Sequence, residues 1–127
     1  MPRSRTSIAK ERGVKAPSFA YGNICKAIVG PRYELSLAFV SPTTARTINR
    51  FARGKKYAPN VLSFPLSKIS GEIIICPAVA KKQAKGYNLT PDAFIGKLFI
   101  HGLFHLKGMR HGSRMESEER RIARKFL

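Results

Sequence analysis

Every histidine of this 127-residue chain lies in one short stretch, HGLFHLKGMRH, residues 101 to 111. His101 and His105 are four residues apart in an apolar run, so on a helix their rings project from one face about a turn apart. His111 follows Gly108, where the chain can turn back over that face. Three imidazoles with no fourth protein ligand are the usual catalytic zinc arrangement, with an open position for water. The spacing predicts one zinc ion per chain.

The helix that must carry the first two histidines has a strong start signal. Thr90 can cap it, Pro91 fits its first turn, and Asp92 lies near the positive end of its dipole. From there to about Lys107 the sequence is apolar almost all round, which is typical of a buried helix. We therefore expect a rigid, central helix that holds His101 and His105.

The remaining chain alternates between strand and helix patterns. The run at 71–77 is apolar on both faces and is expected in the middle of a sheet, whereas Pro65 indicates an edge strand or the end of a pairing. We predict an α+β fold, a small mixed sheet of three to four strands with about five helices around the histidine-bearing helix. The other strands are expected at 34–40 and 61–66, with 6–10 as a possible edge strand, and the other helices at 18–30, 41–54, 77–86 and 113–127.

Some predictions concern helix faces, helix ends and domain limits. Ala45, Ile48 and Phe51 are expected to form the inner face of their helix. Ser113 and Glu116 have the spacing of a capping box at the start of the last helix. Residues 1–16 are predicted to be a basic, poorly ordered segment, followed by a single domain over residues 17–127.

The charge of the chain indicates a polyanionic partner. Lys and Arg number 24 against 7 Asp and Glu, a formal net charge of +17. Most of this excess lies in the patterned part of the chain, because residues 1 to 17 hold a minority of the basic residues. Basic side chains that neutralise phosphates gain affinity by releasing counterions. Nucleic acid or a ribosome fits this charge, and a generally basic proteome is the alternative.

Other features place the protein in a cellular setting. Cys25 and Cys76 have no metal-like spacing and are expected to be small buried hydrophobes in a reducing compartment. The N-terminus lacks the apolar core of a secretory signal, and no apolar run approaches the ~18 residues of a membrane span. We expect a soluble, cytoplasmic protein with no membrane partner.

The histidine stretch resembles the motif HGxLHLxGYDH of the YbeY family, bacterial ribosomal RNA maturation factors described as zinc-dependent, single-strand-specific endoribonucleases. Three upstream blocks, LSLAFV, NRFARGKKYAPNVLSFPL and GEIIICPAVAKKQA, are similar to blocks of that family in the same order. The resemblance covers roughly residues 33 to 127. It implies processing of the 3′ end of small-subunit rRNA and ribosome quality control, with single-stranded RNA, ribosomal RNA and the ribosome as partners and no DNA.

The resemblance also implies roles for particular residues. It places the zinc ligands at His101, His105 and His111. Arg53 falls on an arginine proposed in the family to take part in catalysis or RNA binding. The RNA contacts expected on this basis are Arg53, Lys55, Lys56 and Arg110.

The chain departs from the family pattern beside the proposed metal. Met109 and Arg110 stand where Tyr and Asp are usual, so an acid next to the third histidine has become a cation. Pro59 stands where Thr is usual, and Glu72 replaces the common Asp. These changes bear on the detailed chemistry more than on the metal, and the attacking group, water or a ribose 2′-hydroxyl, stays open.

Two other functions fit parts of the pattern. The pair HxxxH is half of the zinc-protease motif HExxH, but Gly102 occupies the position of the general base and cannot move a proton. A non-catalytic rRNA-binding or ribosome-binding protein with a structural zinc site is compatible with the net charge and with Arg110. Histidines at helical spacing also occur as hydrogen-bonded core residues, with no metal.

Overall fold

The computed structural model describes residues 5 to 127, and this part of the chain contains four strands and five α-helices. The strands are β1 Thr6–Lys10, β2 Glu34–Phe39, β3 Val61–Ser67 and β4 Ser70–Ile75. The helices are α1 Tyr21–Val29, α2 Pro42–Arg53, α3 Pro77–Ala84, α4 Pro91–Leu106 and α5 Ser113–Phe126, with a short 3-10 helix at Lys85–Tyr87. The predicted α+β fold class is confirmed.

The four strands form one mixed sheet in the order β1-β2-β4-β3. Strands β1, β2 and β4 run parallel, and β3 pairs with β4 antiparallel. Strand β4 is interior, as its continuous apolar run predicts. Strand β3 is an edge, and its pairing becomes irregular between Pro65 and Ser67, as expected where a proline cannot donate to the ladder.

Both faces of the sheet are covered. On one face, Leu35, Leu37 and Phe39 of β2 join Ile73 and Ile75 of β4 in the main core, which α1, α4 and α5 complete. On the other face a smaller cluster packs beneath α2, with Val40, Ala45, Leu62, Ile74 and Cys76 at its centre. Both cysteines are buried and unpaired, as predicted.

Helix α4 is the central element of the main core. Thr90 caps it by accepting a hydrogen bond from the backbone N–H of Ala93 at 3.2 Å. Most of its residues are buried, including Phe99 and Phe104 at 0% and 2% exposure. Helix α4 is apolar, yet no helix in residues 5 to 127 is long and apolar enough to cross a membrane.

The predicted inner face of α2 is wrong at one position. Phe51 is 80% exposed, whereas Ala45 is buried and Asn49, a polar residue, is fully buried. A helix has 3.6 residues per turn, so residues spaced by three are each displaced by about 60° around its axis. Phe51, two such steps after Ala45, therefore lies off the buried face. A step of four from Ala45 stays on it and reaches Asn49.

The predicted capping box of α5 is also wrong. The helix is capped by Gly112, whose carbonyl accepts from the backbone N–H of Glu116 at 3.0 Å, and no side chain caps it. Ser113 is the first residue inside the helix, so its hydroxyl is one position too late for a cap.

The N-terminal segment contributes to the sheet and to α2. Residues 6–10 form β1, the possible edge strand, while residues 1–4 lie outside the described residues. The Glu11 carboxylate accepts from the backbone N–H of Ser41 and from the Thr44 hydroxyl, both at 2.7 Å. The hydrogen bond from the Ser41 backbone is the main cause that lowers the pKa of Glu11. The disorder of residues 1–16 and the domain limit at residue 17 stay predictions.

The Glu11 contact predicts an acid-sensitive part of the stability. A carboxylate whose folded-state pKa is lowered stabilises the fold above its unfolded value, 4.5, and this contribution is lost as the pH falls through the folded value. Glu11→Gln should therefore lower the melting temperature near neutral pH, and the difference from the parent should shrink in acid. Melting curves from pH 7 to pH 3 measure this. Glu34→Gln, which removes an exposed pair with Arg5, is the control, and an equal effect there would contradict the prediction.

Candidate metal centre

The three histidines converge at the C-terminal end of α4. One nitrogen from each of His101, His105 and His111 lies within 4.8 Å of the other two. The ring centroids of His101 and His105 are 4.5 Å apart, and that of His111 lies 5.1 Å and 4.6 Å from them. The first two rings are half-buried and the third is exposed. The predicted convergence is therefore observed.

A tight turn after α4 brings the third histidine back. Gly108 adopts a positive φ of 92°, a conformation that glycine reaches without strain. The backbone N–H of Gly108 donates to the carbonyl of His105 at 2.9 Å, and that of Met109 donates to Phe104 at 3.1 Å. These hydrogen bonds close the helix end and direct the following residues over the histidine face.

Glu119 of α5 orients the first histidine. Its Oε2 lies 3.1 Å from Nδ1 of His101. Since an ionised carboxylate only accepts hydrogen bonds, Nδ1 carries the hydrogen, and Nε2 presents its lone pair to the cluster. A carboxylate behind a ligating histidine is the common outer partner in metal sites, where it fixes the tautomer and raises the basicity of the ligand.

The nitrogens that face each other fit a shared cation. Nε2 of His101 and Nε2 of His105 are 3.0 Å apart. A single zinc ion, with nitrogen ligands at ~2.0–2.1 Å, could reach both. Burial, followed by the neighbouring charges of His101 and His111, lowers the pKa of His105. A lowered pKa favours the neutral form of His105, which is the form that ligates metals.

Two of the histidines line a cleft that also contains an arginine. The cleft, of about 320 Å3, runs between the end of α4 and strand β3, and its lining includes Arg53, Ser63, His101 and His105. The Ser63 hydroxyl lies 3.4 Å from the carbonyl oxygen of Gly102, to which it donates. Arg53 and the histidines, far apart in sequence, therefore face one space.

A buried asparagine positions the arginine and the loop after it. The side-chain amide of Asn49 donates to the carbonyl of Tyr57 at 3.0 Å, and its side-chain oxygen lies 3.4 Å from Nη1 of Arg53. A fully buried amide is costly unless it is hydrogen bonded, and these contacts satisfy it. Asn49 thus ties the end of α2 to the loop that leads into β3.

The other expected RNA contacts are more dispersed. Lys55 is exposed after the end of α2, and Arg110 is exposed in the turn before α5. Lys56 lines a separate groove of about 290 Å3 on α2, with Thr43, Arg46, Thr47 and Arg50. The described lining of the histidine cleft includes Arg53 and neither lysine nor Arg110.

Sequence reasoning missed two residues of the site, Glu119 and Asn49. Glu119 falls between Met115 and Ile122 on α5, and both of these residues are buried. A polar residue that continues a buried stripe at four- and three-residue steps indicates a specific partner. The same signal was available for Asn49, four residues after buried Ala45.

The fold and this cluster define an α+β protein with a candidate metal site of three histidines beside a cleft that contains Arg53. A family model described as endoribonuclease YbeY matches residues 12–126. The chain therefore belongs to the endoribonuclease YbeY family, as the sequence resemblance indicated.

Curated relatives and a solved structure agree with this assignment. An endoribonuclease YbeY from Alkaliphilus metalliredigens is 40% identical, the match covering 72% of this chain and 66% of that protein. One from Neisseria meningitidis serogroup B is 39% identical, covering 73% and 64%. The chain thus spans just under two thirds of the length of these relatives. The solution structure of TM1509 from Thermotoga maritima has a TM-score of 0.66 and 24% identity, covering 93% of this chain and 86% of the other, and supports the fold.

The contact between Glu119 and His101 predicts a measurable effect on metal affinity. Glu119→Gln should leave the fold intact and weaken zinc binding by about 10- to 100-fold, the usual effect of removing an outer partner of a ligand. Competition with a chromophoric chelator measures the affinity, with His101→Ala expected to abolish binding. Glu118→Gln is the matched control, because the neighbouring Glu118 pairs with Arg121 instead. Equal affinities for Glu119→Gln and the control would contradict the positioning role.

Proposed function

We propose that this chain is a metal-dependent endoribonuclease that cleaves single-stranded RNA, with one zinc ion held by His101, His105 and His111. The observation that carries the proposal is the shared cleft, in which Arg53 faces the same space as two of the histidines. The relatives are named endoribonucleases, which supports RNA as the substrate class.

The residues of the cleft have separate tasks in this proposal. A metal ion held by the imidazoles would supply Lewis-acid chemistry at a phosphate. Arg53 would bind the scissile phosphate through its guanidinium and offset negative charge that develops on it. Asn49 would hold Arg53 towards the cleft, and Glu119 would keep Nε2 of His101 free of hydrogen. Lys55, Lys56 and Arg110 would contact the RNA outside the cleft.

The second part of the proposal concerns the biological substrate. Processing of small-subunit rRNA and ribosome quality control in the cytoplasm are the roles that the family resemblance implies. The net charge of +17 supports an RNA or ribosomal partner, because phosphate neutralisation by basic side chains drives such binding. Most of the basic residues lie after residue 17, and a minority lie in the N-terminal segment.

The site argues against both alternative functions. A structural zinc site usually has four protein ligands, whereas the cluster found in residues 5 to 127 comprises three histidines. A protease of the HExxH type needs a glutamate in place of Gly102, but a Cβ there would lie 2.8 Å from Ser63 Oγ and 3.1 Å from Ile73 Cδ1. A glutamate at position 102 would therefore require the side chains of Ser63 and Ile73 to move.

The role of Arg53 predicts a loss of catalysis. Arg53→Ala should reduce the rate of single-stranded RNA cleavage by about 100- to 1000-fold, the usual cost of removing one donor that stabilises developing charge. Single-turnover cleavage of a labelled oligonucleotide measures the rate, and metal content should not change. Arg124→Ala removes an exposed arginine on α5 and is the control. Cleavage at the parental rate by Arg53→Ala would exclude the residue from the mechanism.

Replacing His105 distinguishes the proposed enzymatic function from the alternative of a non-catalytic ribosome-binding protein. His105→Ala should fold, bind RNA with near-parental affinity and fail to cleave it, because the packing of α4 does not depend on a half-buried ring. Circular dichroism, RNA binding and cleavage are measured on the same preparation. A variant that melts, with RNA binding that follows net charge alone, would favour the structural zinc site.

A further inference from the structure

Helix α2 exposes an aromatic ring that the proposed cleavage site does not use. Phe51 is 80% exposed to solvent. The next loop carries a second exposed aromatic, Tyr57, at 55%. Single exposed apolar residues are common on protein surfaces, so the significance of Phe51 depends on the residues around it.

The surroundings of the ring are strongly basic. Arg46, Arg50 and Arg53 recur at steps of four and three residues and so share one side of α2. Lys55 and Lys56 follow at once, and no acidic residue occurs in the sequence between Glu34 and Glu72. Within residues 5 to 127, none of these five cations forms an ion pair. Their charge is available to a polyanion.

One of these cations, Arg50, lies over the ring of Phe51. Cζ of Arg50 lies 5.7 Å from the centroid of the Phe51 ring. Arg50 also lines the groove on α2 with Arg46 and Lys56, where the hydroxyls of Thr43 and Thr47 add hydrogen-bonding groups. Such a groove fits the backbone phosphates of a nucleic acid, while the ring beside it fits a base.

The loop with the second aromatic is fixed rather than free. Asn49 holds the carbonyl of Tyr57 at 3.0 Å and also contacts Arg53, which lines the histidine cleft. The buried side chain of Asn49 therefore connects the Tyr57 loop to Arg53 at the proposed site of cleavage. The end of α2 separates the groove from the cleft, so a strand that crosses it would pass Arg50 before reaching Arg53.

We propose that the outer surface of α2, formed by Arg46, Arg50, Phe51 and Lys56, is a binding track for single-stranded RNA, in which an unpaired base stacks on Phe51. The proposal rests on the proposed ribonuclease function and extends it from the cleft to the flanking nucleotides. Stacking needs an unpaired base, so the track selects single strands over duplexes. Tyr57 is placed to contact a neighbouring nucleotide.

The chain offers a direct spectroscopic test because it contains no tryptophan. Phe51→Trp places a single indole on the track, and a base stacked on it quenches its fluorescence. Oligouridine should quench this variant on mixing, before turnover, while an abasic strand of equal length should not. Tyr87→Trp is the control, since Tyr87 is 66% exposed, lies outside α2 and stacks on Phe94. Equal quenching in both variants, or by the abasic strand, would overturn the proposal.

Affinity measurements separate stacking from charge. Phe51→Ala and Phe51→Leu should both weaken binding of single-stranded RNA by about 5- to 150-fold, the range for the loss of one base stack, while Phe51→Trp retains it. Arg50→Gln should weaken binding and reduce its salt dependence. If Phe51→Leu binds like the parent, the contact is not stacking and the proposal fails.

Cleavage assays on the same variants distinguish the two proposals. If the parent cleaves RNA but Phe51→Ala binds and cleaves as the parent does, the track is wrong and the ribonuclease function stands. If Phe51→Trp shows base-dependent quenching but neither this variant nor the parent cleaves RNA, the track stands and the ribonuclease function fails. Quenching by a ribosomal protein fraction freed of RNA, with none by oligouridine, would assign the surface to a protein partner and overturn the RNA track.

Discussion

The packing of α4 against the sheet is the constraint on which the rest of the structure depends. Phe99, Leu103 and Phe104 are buried to 2% exposure or less, and Gly102 lies so close to β3 and β4 that an added methyl group would meet Ser63 and Ile73. Truncating one buried phenylalanine typically costs ~3–5 kcal/mol, a large part of the ~5–15 kcal/mol that keeps a domain folded. The core therefore sets the positions of His101 and His105, and the site needs little further ordering to bind a metal.

The candidate site is assembled from elements that lie on both faces of the sheet. Helix α4 gives two histidines, the turn after it gives the third, α5 gives Glu119, and α2 gives Arg53. Met115 and Ile122 fix α5 in the main core, so the acid that orients His101 is held by apolar contacts on either side of it. On the opposite face of the sheet, Glu11 and Asn49 hold the two ends of α2. Buried contacts thus position polar groups that work at the surface.

Charge and aromatic exposure extend the site beyond its metal ligands. The basic residues of α2 and its following loop are unopposed by acids in that part of the sequence. Long-range attraction to a polyanion comes from this charge, but specificity for single strands needs a group that distinguishes an unpaired base. In the proposed track, Phe51 would provide such a group on the same helix as Arg53, so that recognition and chemistry would lie on two sides of one helix.

Patterns local in sequence determined the α+β class, the interior and edge strands, the limits of α4 and the convergence of the histidines. Each of these follows from periodicity, proline and glycine placement, or a four-residue step on one helix. Family resemblance added Arg53, which no periodic pattern could select.

Only the tertiary structure decided which side chains of different elements meet. The pairing of Glu119 with His101, the common cleft of Arg53 and two histidines, and the exposure of Phe51 all depend on how α2, α4 and α5 are rotated. A rotation of one residue, about 100°, turns a buried position into an exposed one, and sequence periodicity does not resolve it for a helix as mixed as α2. The packing of the whole core determines which segments lie close together in space. A short stretch of sequence does not carry that information.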